Sequence, residues 1–117
     1  MKYNQRDLVW LTEPTILPDG SELDHPVLII SCRAANSKED YYNVVMMTGS
    51  EYEDLFSFKL EDDMFEAPLG KSKCQFRTYI IFSIREVKIK KLANRMKRIH
   101  FVALLDRIKD YVLVADS

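Results

Sequence analysis

Short apolar runs, each closed by polar or turn-forming residues, follow one another along most of the chain. The run Asp7–Thr12 predicts a first strand, and a long connection containing Pro14, Pro18 and Gly20 leads to the unbroken branched run Val27–Ile30. An apolar run without polar interruption is typical of a strand that is buried on both faces. We therefore expect Val27–Ile30 to be the central strand of a sheet.

Two further strands are predicted after the polar loop Ala34–Asp40. Tyr41–Thr48 is rich in aromatic and branched residues and ends at a Thr-Gly-Ser turn, which predicts a third strand with a site position at its end. Apolar residues alternate within Leu55–Leu60, which predicts a fourth strand. The residues on its shared apolar face are Phe56, Phe58 and Leu60.

A long fifth strand is predicted in residues 74–83. Apolar side chains alternate there with polar or exposed ones at Gln75, Arg77 and Ser83, as in a strand with one face on the core. The apolar set is Cys74, Phe76, Thr78, Ile80 and Phe82. We expect this strand to bend and to continue into residues 87–89.

Near the end of the chain the apolar spacing changes to that of an amphipathic helix. The apolar positions are Phe101, Leu104, Leu105, Ile108 and Val112. About five strands followed by a helix predict a mostly β fold, either a small curled antiparallel sheet or an SH3-like barrel with a C-terminal helix. With 117 residues, of which 47% are hydrophobic, the chain has the size of a single domain spanning residues 1–117.

The two parts of the chain carry opposite charge. Residues 1–70 hold 5 Lys and Arg against 14 Asp and Glu, whereas residues 71–117 hold 12 against 4. The basic side chains concentrate between Lys88 and Arg98, and such a stretch can neutralise the phosphates of a nucleic acid. The alternative interpretation is that the basic side chains lie on a solvent-exposed face and that acidic loops of the same fold balance their charge.

Other features of the chain exclude several classes of protein. No signal-peptide pattern is present, and no apolar stretch approaches the roughly 20 residues that a spanning helix needs. We therefore expect a soluble cytoplasmic protein that does not insert into a membrane. Cys32 and Cys74 lie in no CxxC pair, so they signal neither a zinc site nor a disulfide framework.

Several segments of the chain follow one another in the order of a known family. The segments are Asp7–Leu11, Pro14–Thr15, Gly20–Glu22, His25–Ser31 and Val44–Thr48. In order and spacing they resemble the MazF/PemK toxins of toxin–antitoxin systems. Gln75–Thr78 is similar to the family's Q-x-R-T segment, although a second register, in which Ser72 opens that strand, is also possible. The terminal helix matches the family's ending.

The resemblance implies both a fold and a reaction. The fold would be the curled, barrel-like sheet of the MazF, PemK and CcdB toxins. The reaction would be cleavage of single-stranded RNA by an endoribonuclease that needs no metal and no cofactor, in which the 2′-hydroxyl attacks the adjacent phosphate. The expected partners are RNA, a second copy of the chain in a homodimer, and an antitoxin protein whose disordered tail lies along the RNA groove.

The resemblance also assigns catalytic positions. The family places an Arg before the central strand and a Thr or Ser at the end of the third strand against the scissile phosphate, and His25 and Thr48 occupy these positions here. An imidazole serves as base, as acid or, when protonated, as a phosphate donor, so His25 is expected to replace the Arg in an adapted mechanism. Arg77 is the expected further source of positive charge.

RNA contacts are expected from four other residues, namely Ser50, Gln75, Arg33 and Trp10. Simpler structural interpretations stand beside each assignment. His25 fits a solvated loop histidine, Thr48 fits ordinary turn chemistry at a strand end, and Arg77 fits an outward-facing strand residue. A residue like Trp10 is more often part of the core or its rim.

Three classes of function remain open at this point. The leading hypothesis is a ribonuclease toxin. The second is a catalytically altered or inactive protein of the same fold that binds RNA or another protein, which the exchange of the family Arg for His25 favours. The third is an unrelated SH3-like domain that binds proline-rich peptides in an aromatic groove.

Overall fold

Eight strands and two helices form the described part of the computed structural model, which comprises residues 2–16, 19–70 and 73–117. The strands are Asp7–Leu11 (β1), Thr15–Ile16 (β2), Glu22–Leu23 (β3), Val27–Ile29 (β4), Tyr41–Thr48 (β5), Ser57–Lys59 (β6), Gln75–Arg85 (β7) and Ile89–Arg95 (β8). The helices are Arg33–Asn36 (α1) and Arg98–Tyr111 (α2). The prediction of a mostly β fold with a C-terminal helix is confirmed.

Six of these strands form one antiparallel sheet in the order β6-β7-β5-β4-β1-β8. The strand β4 lies inside the sheet between β5 and β1, which confirms the predicted central strand. Leu11 of β1 and Phe82 of β7 line the same cleft, although two strands separate β1 from β7. The sheet is therefore strongly curled. Its free edges are β6 and β8.

Each face of the sheet carries its own apolar core. Alternation along β5 sends Val45 and Met47 to one core and Tyr42 and Val44 to the other, as the two-residue period of a strand requires. The first core includes the helix α2, whose buried side chains are Phe101, Leu104 and Ile108. The predicted apolar face of the helix is therefore confirmed.

The connection between the first strand and the central strand is more ordered than the extended loop that we predicted. The strands β2 and β3 pair as a two-stranded ribbon. Before β3, the Asp19 carboxylate accepts a hydrogen bond from the backbone N–H of Ser21 at 2.8 Å, and Gly20 has a φ of 86°. Both features are typical of turn residues, since aspartate bonds the backbone two residues on and glycine adopts a positive φ without steric cost. Pro18 lies outside the described residues.

Two further predictions need correction. The polar segment Ala34–Asp40 is not entirely loop, because α1 covers its start and the buried Asn36 donates to the carbonyl of Ser31 at 3.0 Å. The fifth strand does not bend into residues 87–89. It ends at Arg85, a 3₁₀ turn follows, and β8 is a separate strand that pairs with β1.

The alternation that we predicted for residues 74–83 is interrupted inside β7. Val45 of β5 pairs with Ile81, but the next residue, Met46, pairs with Arg77. Residues 78–80 of β7 therefore have no partner in β5 and form a three-residue bulge. The polar residues before the bulge, Gln75 and Arg77, are 3% and 7% exposed, so the interpretation of Arg77 as an outward-facing residue is wrong.

The strand β6 is shorter than predicted, but part of its expected face is present. Leu60 belongs to the core on the side of α2, and Phe58 packs against that core. Phe56 precedes the strand, and its ring contacts the Tyr79 ring in an edge-to-face arrangement at 5.5 Å between centroids. The short β6 leaves the preceding segment, residues 49–56, as a loop that lies beside the first part of β7.

Candidate functional site

A row of polar side chains crosses the sheet where β4 begins and β5 ends. The register of β4 on β5, extended by two residues, sets His25 opposite Thr48. Thr48 pairs with Gln75 of β7, and Gln75 pairs with Lys59 of β6. Directly opposed residues in a sheet point to the same face, so the four residues form one polar row.

The His25 imidazole lies close to the turn that follows Thr48. A Cβ atom built on Gly49 would lie 3.8 Å from its Cε1 and 3.9 Å from its Nε2. Glycine at position 49 therefore keeps this side of the half-buried imidazole open, whereas a side chain would cover it. The imidazole and the Thr48 hydroxyl thus reach the same end of the sheet, as the sequence predicts.

The residues after Thr48 are fixed by hydrogen bonds to their own side chains and to Gln75. The N–H of Ser50 donates to Thr48 Oγ1 at 3.3 Å, and the N–H of Tyr52 donates to Ser50 Oγ at 3.1 Å. The buried amide of Gln75 donates to the carbonyls of Ser50 and Tyr52 at 2.9 and 2.6 Å. Both donor hydrogens of Gln75 thereby hold the loop, so Gln75 shapes the site more than it offers free donors.

Arg77 lies in the next row of the sheet and is held by four hydrogen bonds. Its guanidinium forms a two-point pair with Asp54, at 3.1 and 2.8 Å, and donates also to Ser57 Oγ at 2.9 Å and to Gln75 Oε1 at 3.1 Å. The hydrogen bond from Arg77 is the main cause that holds the pKa of Asp54 below its ordinary value. Such two-point pairs are the strongest of the charged hydrogen bonds in proteins.

The loop of residues 49–56 carries an acid for each of three cations around the site. Besides Asp54 with Arg77, Glu53 pairs with Lys59 at 3.1 Å and Glu51 pairs with Lys73 at 2.6 Å. The two lysine pairs are largely exposed and contribute little to stability. Their consequence is electrostatic, because the surface around Arg77 is close to neutral in spite of its three basic residues.

Two of the residues predicted from the sequence lie away from the polar row. Arg33 is in α1, beyond the opposite end of β4, and its guanidinium donates to the side chain of Asn4 at 3.4 Å. Trp10 is on the other face of the sheet, where it lines a cavity of about 150 Å³ together with Pro26 and Met47. The structure therefore brings together His25, Thr48, Ser50, Gln75 and Arg77, but not Arg33 or Trp10.

The predicted basic stretch is divided between the surface and an internal ion pair. Lys88, Lys90 and Lys91 are exposed at the free edge of the sheet, where they are available to phosphates. Arg95 instead pairs with the buried Asp7 of β1 at 2.6 Å and with Glu66 at 3.6 Å. Only part of the stretch thus has the character that the sequence predicts.

Sequence reasoning missed the groups that hold Arg77. Asp54 and Ser57 lie 23 and 20 residues earlier in the chain, Asp54 in the loop after β5 and Ser57 at the start of β6. Two features of the sequence could have indicated the partner of Arg77. A buried arginine needs an acidic or polar partner, and three acids, Glu51, Glu53 and Asp54, lie close together after the third predicted strand.

Among residues 2–16, 19–70 and 73–117, no group of three or more His, Cys, Asp and Glu side chains is placed to hold a metal ion. Independence from a metal remains a prediction. In the same ranges no helix has the length and apolar character that crossing a bilayer requires.

The curled antiparallel sheet with a terminal helix against one core defines the class of fold. Neither a protein-family model nor a curated protein matches the sequence. Solved structures do match over nearly the whole chain. A mycobacterial endoribonuclease in complex with its cognate antitoxin gives a TM-score of 0.70 at 9% identity, with 98% of this chain and 99% of that chain covered.

Two further matching structures are MazF toxins. MazF from Deinococcus radiodurans has a TM-score of 0.68 at 19% identity and covers 96% of this chain and 97% of its own. The Mycobacterium tuberculosis toxin MazF-mt6 has a TM-score of 0.64 at 12% identity, with coverage of 93% and 99%. The chain therefore has the MazF fold, which confirms the resemblance at the level of the fold.

Proposed function

We propose that this chain is the toxin of a type II toxin–antitoxin system and cleaves single-stranded RNA as a cytoplasmic endoribonuclease. The observation that carries the proposal is the meeting of His25 and Thr48 at one end of the sheet, on a fold that known endoribonuclease toxins share. Neither residue is near the other in sequence. Their approach is what a reaction at a single phosphate requires.

In the proposed reaction, His25 takes the proton from the 2′-hydroxyl of the RNA. The 2′-oxygen then attacks the adjacent phosphorus, and the bond from phosphorus to the 5′-oxygen breaks. The products are a 2′,3′-cyclic phosphate and a 5′-hydroxyl whose proton comes from water. Thr48 donates its hydroxyl hydrogen to a phosphoryl oxygen, where negative charge accumulates in the transition state.

Arg77 enters this proposal as a positioning residue. Its guanidinium is occupied by Asp54, Ser57 and Gln75, so a phosphate would have to displace one of these partners to bind it directly. By holding Gln75 and the loop after Thr48 in place, Arg77 keeps the site in one conformation. This revises the direct catalytic role that we expected from the sequence.

The partners follow from the same proposal. The matching mycobacterial and Deinococcus structures include complexes with an antitoxin or with MazE, and we propose an antitoxin partner for this chain. We also propose that the chain forms a homodimer. The exposed lysines near β8 offer positive charge to RNA and equally to an acidic antitoxin segment.

Cleavage of a long unstructured RNA in EDTA tests the proposal. We expect wild-type protein to cut, and His25→Ala and Thr48→Ala each to lose about 100-fold or more of the rate, which is the usual contribution of a general base and of a transition-state hydrogen-bond donor. His100→Ala is the matched control, because His100 is the second histidine of the chain and lies at the start of α2.

The proposal fails if His25→Ala cuts as fast as His100→Ala, or if EDTA abolishes the wild-type activity. Binding of RNA that weakens with salt, without any cleavage, would point to the non-catalytic binding module instead.

A further inference from the structure

Two exposed tyrosines flank the Arg77 guanidinium beside the polar row. Tyr52 and Tyr79 are 67% and 51% exposed, and their ring centroids lie 5.9 and 5.0 Å from the guanidinium carbon. These distances are in the range of cation–π contacts. The two rings form an aromatic surface, here called the tyrosine platform, that nothing in the described chain covers.

The backbone holds both tyrosines in place. Tyr52 donates from its N–H to Ser50, and its carbonyl accepts hydrogen bonds from Gln75 at 2.6 Å and from Ser57 at 3.3 Å. Tyr79 lies in the three-residue bulge of β7, whose first residue, Thr78, is tied to the carbonyl of Phe56 by two hydrogen bonds. Bulges commonly redirect a side chain next to a functional site.

The local charge favours an occupant that stacks. Arg77 and the two lysines near it are each paired with an acid, so this surface offers no strong net charge to a phosphate. It offers two aromatic rings, a type of surface on which the bases of single-stranded RNA stack with little sequence preference. The Arg77 guanidinium is itself buried, so it contributes cation–π contacts to both rings and no stacking area of its own.

The platform lies next to the proposed reaction site. Gln75, whose side-chain amide donates to the Tyr52 carbonyl, is paired with Thr48 in the sheet, so one residue connects the platform to the polar row. A nucleotide whose phosphate is at His25 and Thr48 would have a neighbouring base within reach of the rings. We propose that Tyr52 and Tyr79 bind an unpaired nucleobase of the RNA next to the scissile phosphate, an inference that rests on the proposed function.

Binding of a single-stranded oligodeoxynucleotide tests this proposal. That probe lacks the 2′-hydroxyl, so it is bound without being cut and its affinity is measured whether or not the protein is a nuclease. We expect Tyr52→Ala and Tyr79→Ala each to weaken binding by roughly 5- to 100-fold, the usual effect of removing one stacking ring. Tyr52→Phe and Tyr79→Phe keep the ring and should bind within about twofold of wild type.

Two controls separate stacking from general damage. Tyr41→Ala removes an exposed tyrosine at the opposite end of β5 and should leave the affinity unchanged. Inorganic polyphosphate carries phosphates without bases, so the alanine variants should bind it as wild type does. Tyr79→Leu keeps apolar contact with Phe56 and should lose oligonucleotide binding like Tyr79→Ala, which excludes a loss through local unfolding.

Two results would overturn the proposal. If the alanine variants bind the oligonucleotide as wild type does, the platform serves another partner, such as a protein segment. If they lose oligonucleotide and polyphosphate binding equally, the tyrosines maintain a phosphate site and do not stack on bases. Either result leaves the test of the nuclease itself intact, because that test measures cleavage by His25 and Thr48 variants.

Discussion

Two arginine–aspartate pairs join neighbouring segments of the sheet that are distant in sequence, and a different partner is the buried one in each pair. In the pair Arg77–Asp54 the arginine side chain is 8% exposed and the aspartate 28%. In the pair Arg95–Asp7 the arginine is 31% exposed and the aspartate 7%. The N–O distances, 2.8 and 2.6 Å, are similar. Burial of the two partners, and not the contact itself, distinguishes the pairs.

The further hydrogen bonds of the buried partner differ between the two pairs and indicate which property of the protein each pair affects. Arg77 also binds Ser57 and Gln75 and so arranges the loop beside the polar row. Asp7 also accepts a hydrogen bond from the N–H of Asn4 at 2.8 Å, and its pairing with Arg95 joins β1 to the edge strand β8. We therefore expect the first pair to affect activity and the second to affect stability.

The largest expected effect is on RNA cleavage in Arg77→Met. This change releases Asp54 and removes the donor to Gln75, so the loop after Thr48 loses its fixed position. A misplacement of about 1 Å costs on the order of 100-fold in rate, and we expect a loss of at least that size. Initial rates of cleavage, measured at equal concentrations of folded protein, give the value.

Arg95→Met is the matched variant for this measurement. It makes the same substitution in the other pair, on the edge strand β8, which β1 separates from the polar row. Its folded fraction should cut RNA within about threefold of wild type. Equal losses of activity in the two variants would contradict the distinction between a site pair and a structural pair.

The second largest effect is on stability in Arg95→Met. The substitution leaves the Asp7 carboxylate buried without its cation, and removing one partner of a buried pair costs about 3 kcal/mol of unfolding free energy. Urea unfolding followed by circular dichroism measures the change. A loss below about 1 kcal/mol would mean that the pair behaves like an ordinary surface ion pair.

A smaller loss is expected when the aspartate of the same pair is changed. Asp7→Asn leaves Arg95, which is partly exposed and still near Glu66, so the remaining charge can be hydrated. We expect the free energy of unfolding to fall by about 1 kcal/mol. The double variant Asp7→Asn, Arg95→Met should be more stable than Arg95→Met alone, because no buried charge remains; a double variant that is less stable would refute this explanation.

Much of the fold follows from periodicity in the sequence. The runs that became β1, β4 and β5 are apolar and short, and α2 shows its helical spacing clearly. The bulge of β7 could not be predicted, because Thr78, Tyr79 and Ile80 continue an apolar pattern and carry no turn signal. The bulge is set by tertiary contacts to Phe56 and the loop before β6.

Only part of the candidate site could be predicted, because only some of its residues are placed by strands that the sequence reveals. His25 and Thr48 lie at the adjacent ends of two strands that were recognised from the sequence, so antiparallel pairing brings them together. Arg77 was identified, but its orientation and its partner Asp54 depend on the bulge and on a loop 23 residues earlier. Hydrophobic periodicity contains no information about such pairings.

The smallest expected effect concerns acid stability and the first pair. The hydrogen bond from Arg77 lowers the pKa of Asp54 in the folded protein, so at mildly acidic pH the unfolded chain binds a proton that the folded protein does not. The stability from this pair is therefore present above the unfolded pKa of about 4 and is lost as the pH falls through the folded value. Melting temperatures between roughly pH 6 and pH 3 should fall less steeply in Asp54→Asn and in Arg77→Met than in wild type. Identical slopes in all three proteins would show that Asp54 does not titrate with folding, and that the pair holds the loop by geometry without contributing to acid stability.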